Sequence, residues 1–180
     1  MLDAAGLDYV KIFASGNLDE FRISDLLKKG ACVDNFGVGT HMGTSVDAPS
    51  LDVIYKICEV SDGEGRFFPT MKLSRGKVTY PGRKQIFRLQ DKHKRFTKDI
   101  LGLHNEKIRG KPLLMKMVEN GKVIYRLPSL DKIRDFTRKN LAAFPEKLKA
   151  VRSKYKYPVV VSPQLKKLRN KLSAELEKRQ

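Results

Sequence analysis

The chain has 180 residues, 41% hydrophobic and 32% charged, a balance that suits a folded domain and excludes wholesale disorder. No run of about 18 apolar residues occurs, which excludes a membrane-spanning helix, and the N-terminus carries acids before its first base, unlike a signal peptide. The net charge of +17 is unevenly placed, with 5 Lys and Arg against 11 Asp and Glu in residues 1–65, and 32 against 9 in residues 66–180.

A basic half of this kind fits nucleic acid, an anionic metabolite or a solvated surface, because Lys and Arg attract phosphate without reading its context. The two cysteines, Cys32 and Cys58, lie in apolar stretches and are expected to be buried free thiols of a cytoplasmic protein.

In chain order, "YVKIFA" (residues 9–14) is rich in β-branched and aromatic residues and predicts a strand. Asn17 is placed to cap a helix, with Glu20 three residues on in capping-box spacing. Leu18, Phe21, Leu26 and Leu27 then recur at roughly helical spacing up to Lys28, Lys29 and Gly30, bases and a glycine that suit a helix end. "CVDNFGVG" begins a second strand, so the first forty residues predict one βαβ unit with parallel pairing and a right-handed crossover.

The apolar run "LDVIYKICEV" (residues 51–60) predicts a buried strand. "MKLSRGKVTYPGRKQIFRL" alternates with period two, broken by turn signals at Arg75-Gly76 and Pro81-Gly82. "LLMKMVENGKVIYRL" reads as a hairpin about a type I′ turn at Asn120-Gly121, so a small antiparallel sheet is expected after the βαβ unit. The end is helical. Ser129 is placed to cap one helix, Pro145 restarts another, and Ser162-Pro163 opens the last, with Leu165, Leu168, Leu172 and Leu176 on one face.

Two loops are suited to chemistry. Gly37-Val38-Gly39-Thr40 follows the second strand, where α/β folds place ligand loops. Glycines let successive backbone N–H groups form an anion-binding nest, and Thr40 and Thr44 offer hydroxyls. There is no Lys-Ser/Thr ending, so the loop is not of the Walker type. Ser15-Gly16-Asn17 holds the matching place after the first strand. Adjacent parallel strands bring such loops side by side, so the pair either grips one phosphate or makes two ordinary turns.

His41 follows the glycine loop and faces either a ligand or solvent. Neither His41, His93 and His104 nor the cysteines show metal-ligand spacing, and no nucleophile motif occurs. Arg75, Lys77, Arg83, Lys84 and Arg88, interleaved with Tyr80 and Phe87, fit a nucleic-acid surface, the mouth of a phosphate site or a solvated strand face.

"VKIFASGNLDE", "DNFGVGTHMGTSVDAPSLDVIYKICEV", "MKLSRGKVTYPGRKQIFR" and "YPVVVSPQLKKLRNKL", in this order, closely resemble the C-terminal part of the nicotinate phosphoribosyltransferase family. The resemblance runs from about Tyr9 to about Leu172. It implies formation of nicotinate mononucleotide and pyrophosphate from nicotinate and phosphoribosyl pyrophosphate, coupled to ATP hydrolysis, with ATP and Mg2+ as cofactors, in NAD salvage. The implied fold class is α/β: the last βα units of an irregular, TIM-like barrel (residues 1–48), then an α+β segment with antiparallel hairpins and C-terminal helices (residues 49–180) that contributes to a second domain.

The resemblance assigns the 5′-phosphate to Gly37, Val38, Gly39 and Thr40, and the same phosphate or the ribose to Ser15 and Gly16. Asn17 stands where many relatives carry an acid, which removes a charge that could meet magnesium or ribose hydroxyls. Lys72, Lys77 and Lys84 are expected near phosphates. No catalytic residue and no metal ligand is assigned, since none of the three histidines lies in a matching motif.

Family members are much longer, so the chain is expected to be a fragment or a split-gene product, inactive alone, whose partner is the missing N-terminal barrel segment. The completed enzyme is expected to be a homodimer in the cytoplasm, away from membranes. The alternative is a non-catalytic basic module that binds nucleic acid or nucleotide phosphates. A third reading is a structural subunit that brings only loops to a shared site.

Overall fold

The computed structural model describes residues 1–45, 48–50, 54–74, 76 and 78–178. Two compact units divide it, Met1–Ile54 and Tyr55–Gln180.

The first unit holds β1 (Phe13–Ser15), α1 (Glu20–Lys28), β2 (Asn35–Gly37) and the short α2 (Thr40–Thr44). β1 and β2 pair in parallel, as the strand–helix–strand reading requires. Each strand has three residues, and Asp34 closes the N-terminal end of the pair. Its carboxylate accepts the Ile12 amide at 2.8 Å and sits 3.6 Å from Lys11 Nζ, and the Ile12 bond holds that carboxyl below its ordinary range.

The helix cap differs from the sequence expectation. Asn17 lies in the left-handed region at φ 50°, whereas a capping residue needs extended backbone. Asp19, at φ −136°, takes the role, and its Oδ1 accepts the Arg22 amide at 2.7 Å. Leu18 is buried beneath this entry.

In the second unit, β3 (Glu59–Ser61) pairs antiparallel with β4 (Phe67–Pro69). β5 (Lys84–Gln90), β6 (Phe96–Leu103) and β7 (Lys111–Pro112) form the larger sheet. β8 (Val118–Glu119) and β9 (Lys122–Val123) make the expected hairpin, with positive φ at both Asn120 and Gly121 as a type I′ turn demands. α3 (Leu130–Ala143) and α4 (Glu146–Lys149) lead to β10 (Val159–Val161) and α5 (Pro163–Glu177).

The strand order β10-β6-β5-β7 is mixed rather than purely antiparallel, because β10 joins β6 in parallel. The three consecutive valines of β10 carry the β-branched signal for that strand. The described part of the run 51–60 does not form the expected buried strand. Residues 51–53 lie outside the described residues, Ile54, Tyr55 and Ile57 are exposed, and regular pairing starts only at Glu59. The thiols also differ from expectation: both are free, but Cys32 is exposed and Cys58 half-buried.

The core of this unit lies between the larger sheet and the segments around it. Ser162 caps α5 by accepting the Leu165 amide at 3.1 Å, and its hydroxyl donates to Glu106 Oε2 at 2.7 Å. Glu106 Oε2 also accepts the Leu103 amide at 3.0 Å, tying the end of β6 to the start of α5. Leu165 is 0% exposed, the deepest apolar side chain among the described residues. On the sheet, Arg88 forms a two-pronged pair with Asp99 at 2.9 and 2.8 Å. The rings of Phe96, Phe144 and Tyr157 surround its guanidinium at 4.7, 5.2 and 5.9 Å.

Candidate functional site

The register of the first unit sets Ser15 beside Gly37. Their loops therefore leave neighbouring strands at the same, C-terminal end. Gly37 permits a close approach: a Cβ there would lie 2.8 Å from Cε1 of Phe13 and 3.2 Å from Cβ of Ser15. After β1 the chain turns through two positive-φ residues, Gly16 at 121° and Asn17 at 50°.

Asn17 is held from two sides. Its carbonyl accepts a 2.6 Å bond from Arg22 Nη1 of α1, and its Oδ1 lies 3.0 Å from Nε2 of His41, the second residue of α2. With Oδ1 as acceptor, the bond requires the proton on Nε2. His41 is half-buried and meets the opposite loop rather than solvent. The sequence left that open. The one signal for it was the position of His41, one residue past the glycine-threonine loop.

Among the described residues, the amides of Val38, Gly39 and Thr40 donate to no protein acceptor. Gly39 instead serves as an acceptor, for the amides of Met42 at 3.1 Å and Gly43 at 3.0 Å. Thr44 turns its hydroxyl inward, donating to the Thr40 carbonyl at 2.8 Å, so it is not the free donor the sequence suggested. Ser15, Gly16, Asn17 and Gly37 are thus brought together, with Val38, Gly39 and Thr40 continuing from Gly37. This is a neutral constellation of amides and hydroxyls. Amides and hydroxyls arranged in this way can receive an anion through partial charges rather than ion pairs.

The described members of the basic cluster are bonded within the fold. Arg75 and Lys77 lie outside the described residues. Arg83 pairs with Glu59 at 2.9 Å, Lys84 Nζ donates to the carbonyls of Tyr80 and Gly82 at 2.8 and 2.6 Å, and Arg88 is committed to Asp99. Phe87 is buried, and Tyr80 is covered by Arg169 at 5.3 Å. Lys72 is exposed and, like Lys84, belongs to the second unit. Among the described residues no three His, Cys, Asp or Glu side chains gather as a metal site, and no helix is long and apolar enough to cross a membrane.

Comparison with known proteins gives one consistent result. Residues 107–169 match the nicotinate phosphoribosyltransferase C-terminal domain. The chain is 46% identical over 166 residues to nicotinate phosphoribosyltransferase pncB2 of Mycobacterium tuberculosis, covering 91% of this chain and 35% of that protein. It is 30% identical over 188 residues to nicotinate phosphoribosyltransferase of Bacillus subtilis, covering 90% of this chain and 38% of that one. The crystal structure of human nicotinic acid phosphoribosyltransferase superposes with a TM-score of 0.65 at 25% identity, over 95% of this chain and 36% of that chain. The chain therefore spans little more than a third of the length of these relatives. In sequence and in its mixed α/β architecture, the chain matches the C-terminal segment of nicotinate phosphoribosyltransferases.

Proposed function

We propose that this chain is the C-terminal segment of an enzyme that makes nicotinate mononucleotide and pyrophosphate from nicotinate and phosphoribosyl pyrophosphate in NAD salvage. Its part is to hold the 5′-phosphate between the loops after β1 and β2. The observation that carries this reading is the pairing of Ser15 with Gly37, which sets both loops side by side while the amides of Val38, Gly39 and Thr40 remain uncommitted among the described residues. Residues 1–65 are net acidic, so a phosphate here gains its stabilisation from oriented dipoles and the Thr40 hydroxyl.

β1, α1 and β2, within residues 1–48, are the last βα part of a TIM-like barrel on this reading, and residues 49–180 serve the second domain. Upstream barrel strands, from the same gene or a split partner, pair with the open edge of the β1–β2 ribbon, and the completed enzyme is a cytoplasmic homodimer. The family resemblance implies ATP and Mg2+. The described residues do not fit Mg2+: no acidic ligand set forms, and Asn17 Oδ1 is engaged by His41. No step is therefore routed through the metal or ATP in this chain, and both are assigned to the part of the family protein outside it. The alternative, a basic module for nucleic acid, draws nothing from Arg83, Lys84 and Arg88, which are bonded internally.

Co-expression with the N-terminal two-thirds of a family enzyme tests the reading. Formation of nicotinate mononucleotide by the pair, with none from this chain alone, is the expected result. Turnover by the lone chain, or a pair that stays inactive while both parts are folded and associated, overturns it.

A further inference from the structure

The geometry points to a second anion site, in the other unit, for a small polyphosphate such as pyrophosphate or the phosphate tail of a nucleotide. An open cleft of about 540 Å³ lies along the β5–β7 edge, lined by Arg88, Leu89, Gln90, Arg109, Gly110 and Lys111. That volume falls in the range of about 300–1,000 Å³ usual for small-molecule sites. Three of the six lining residues are cations and none is an acid.

The sheet register explains why the charge is uncompensated. Arg88 on β5 faces Asp99 on one side and Lys111 on the other. Asp99 is 7% exposed and gives both oxygens to Arg88, with Tyr157 also 3.3 Å away. The carboxylate of Asp99 is thus committed to Arg88 rather than to Lys111. Arg109 stands two residues before Lys111, in the bend that leads into β7. Among the described residues neither Arg109 nor Lys111 makes an ion pair.

Gly110 keeps the two cations close to β5. A Cβ there would stand 3.2 Å from the Arg88 carbonyl, the Leu89 Cδ1 and the Phe87 Cβ. Arg109 supplies a planar fork and Lys111 a point charge, a pairing suited to two linked phosphoryl groups. Arg88 is neutralised by Asp99 and fixed by its aromatic cage, so Arg109 and Lys111 supply the free donors. Two free cations in one cleft favour a compact polyphosphate over a nucleic-acid strand, which needs a longer basic track.

Isothermal titration of the full chain with pyrophosphate, at fixed moderate salt, tests the site. Arg109→Ala/Lys111→Ala is compared with Lys166→Ala/Lys167→Ala, which removes equal charge from α5. The expected result is saturable binding that weakens about tenfold or more in the first variant and hardly changes in the second. Arg109→Lys, which keeps charge but removes the fork, is expected to fall between. No binding by the wild type, equal losses in both double variants, or a single-stranded RNA that binds more tightly than pyrophosphate and loses affinity equally in both variants overturns the inference. Circular dichroism of each variant separates unfolding from loss of the site.

Discussion

Nε2 of His41 lies 3.0 Å from Oδ1 of Asn17, so the residue after the glycine-threonine loop holds the tip of the neighbouring loop. This contact crosses from α2 to the turn after β1 and gives the proposed phosphate grip its second brace, beside the Arg22 bond to the Asn17 carbonyl.

His41→Ala removes that brace and leaves Asn17 with one anchor. Loss of one exposed hydrogen bond, worth about 1 kcal/mol, corresponds to about fivefold weaker phosphate binding. Titration calorimetry with phosphoribosyl pyrophosphate checks this. His41→Gln, which still carries an N–H donor, is expected to recover part of the affinity.

Gly37→Ala places a methyl group 2.8 Å from the Phe13 ring, which must swing aside. Phe13 is 66% exposed, so the ring has room to move and the cost stays near about 1–2 kcal/mol. Denaturant unfolding measures it. The double variant Phe13→Ala/Gly37→Ala is expected to cost less than the sum of the single variants, because the clash is gone.

Two serines at helix starts are expected to behave differently. Ser162→Ala removes a buried hydroxyl that caps α5 and meets Glu106, and should cost about 1–2 kcal/mol. Ser129→Ala should cost little, because the Ser129 side chain makes no capping bond to α3. Thermal unfolding of the two variants side by side decides this.

Tyr157 is pushed up to about 12, first by its burial and then by the negative charge of Asp99. The folded protein therefore keeps that phenolic proton after the unfolded chain, with its ordinary value of 10.0, has begun to release it. The stabilisation is present in full below pH about 10 and is lost as pH rises from there through about 12. Absorbance titration of the phenolates should show one late-titrating tyrosine, absent in Tyr157→Phe.

Asp99→Ala strands Arg88 among three rings without a counter-charge. Breaking a partly buried pair of this kind costs about 3 kcal/mol, and Asp99→Asn should recover part of it by keeping one acceptor. Chemical denaturation of the two variants gives the comparison.

The sequence made the local rules of this fold legible where one residue type had one job. Asn120-Gly121 demands positive φ at two positions, Ser162-Pro163 suits only a helix start, and the apolar pulses around α1 imply a crossover between parallel strands. It was less informative where partners lie far along the chain. The caging of Arg88 draws on Asp99, Phe144 and Tyr157, and the parallel pairing of β10 with β6 bridges some sixty residues. Asn17 misled because Asn suits both a helix cap and a left-handed turn. With Asp19 two residues on, the cap went to Asp19 and the turn to Asn17. Of the candidate site, the adjacency of the two loops was readable from parallel pairing, whereas the His41–Asn17 contact was not, since spacing does not show where a side chain turns.

The most direct test of the phosphate grip is an amide-resolved NMR titration of the 180-residue chain with phosphoribosyl pyrophosphate. Saturable shifts centred on the amides of Gly16, Val38, Gly39 and Thr40 are predicted. Shifts confined to the basic residues after position 65, with those four amides unmoved at saturation, would contradict it.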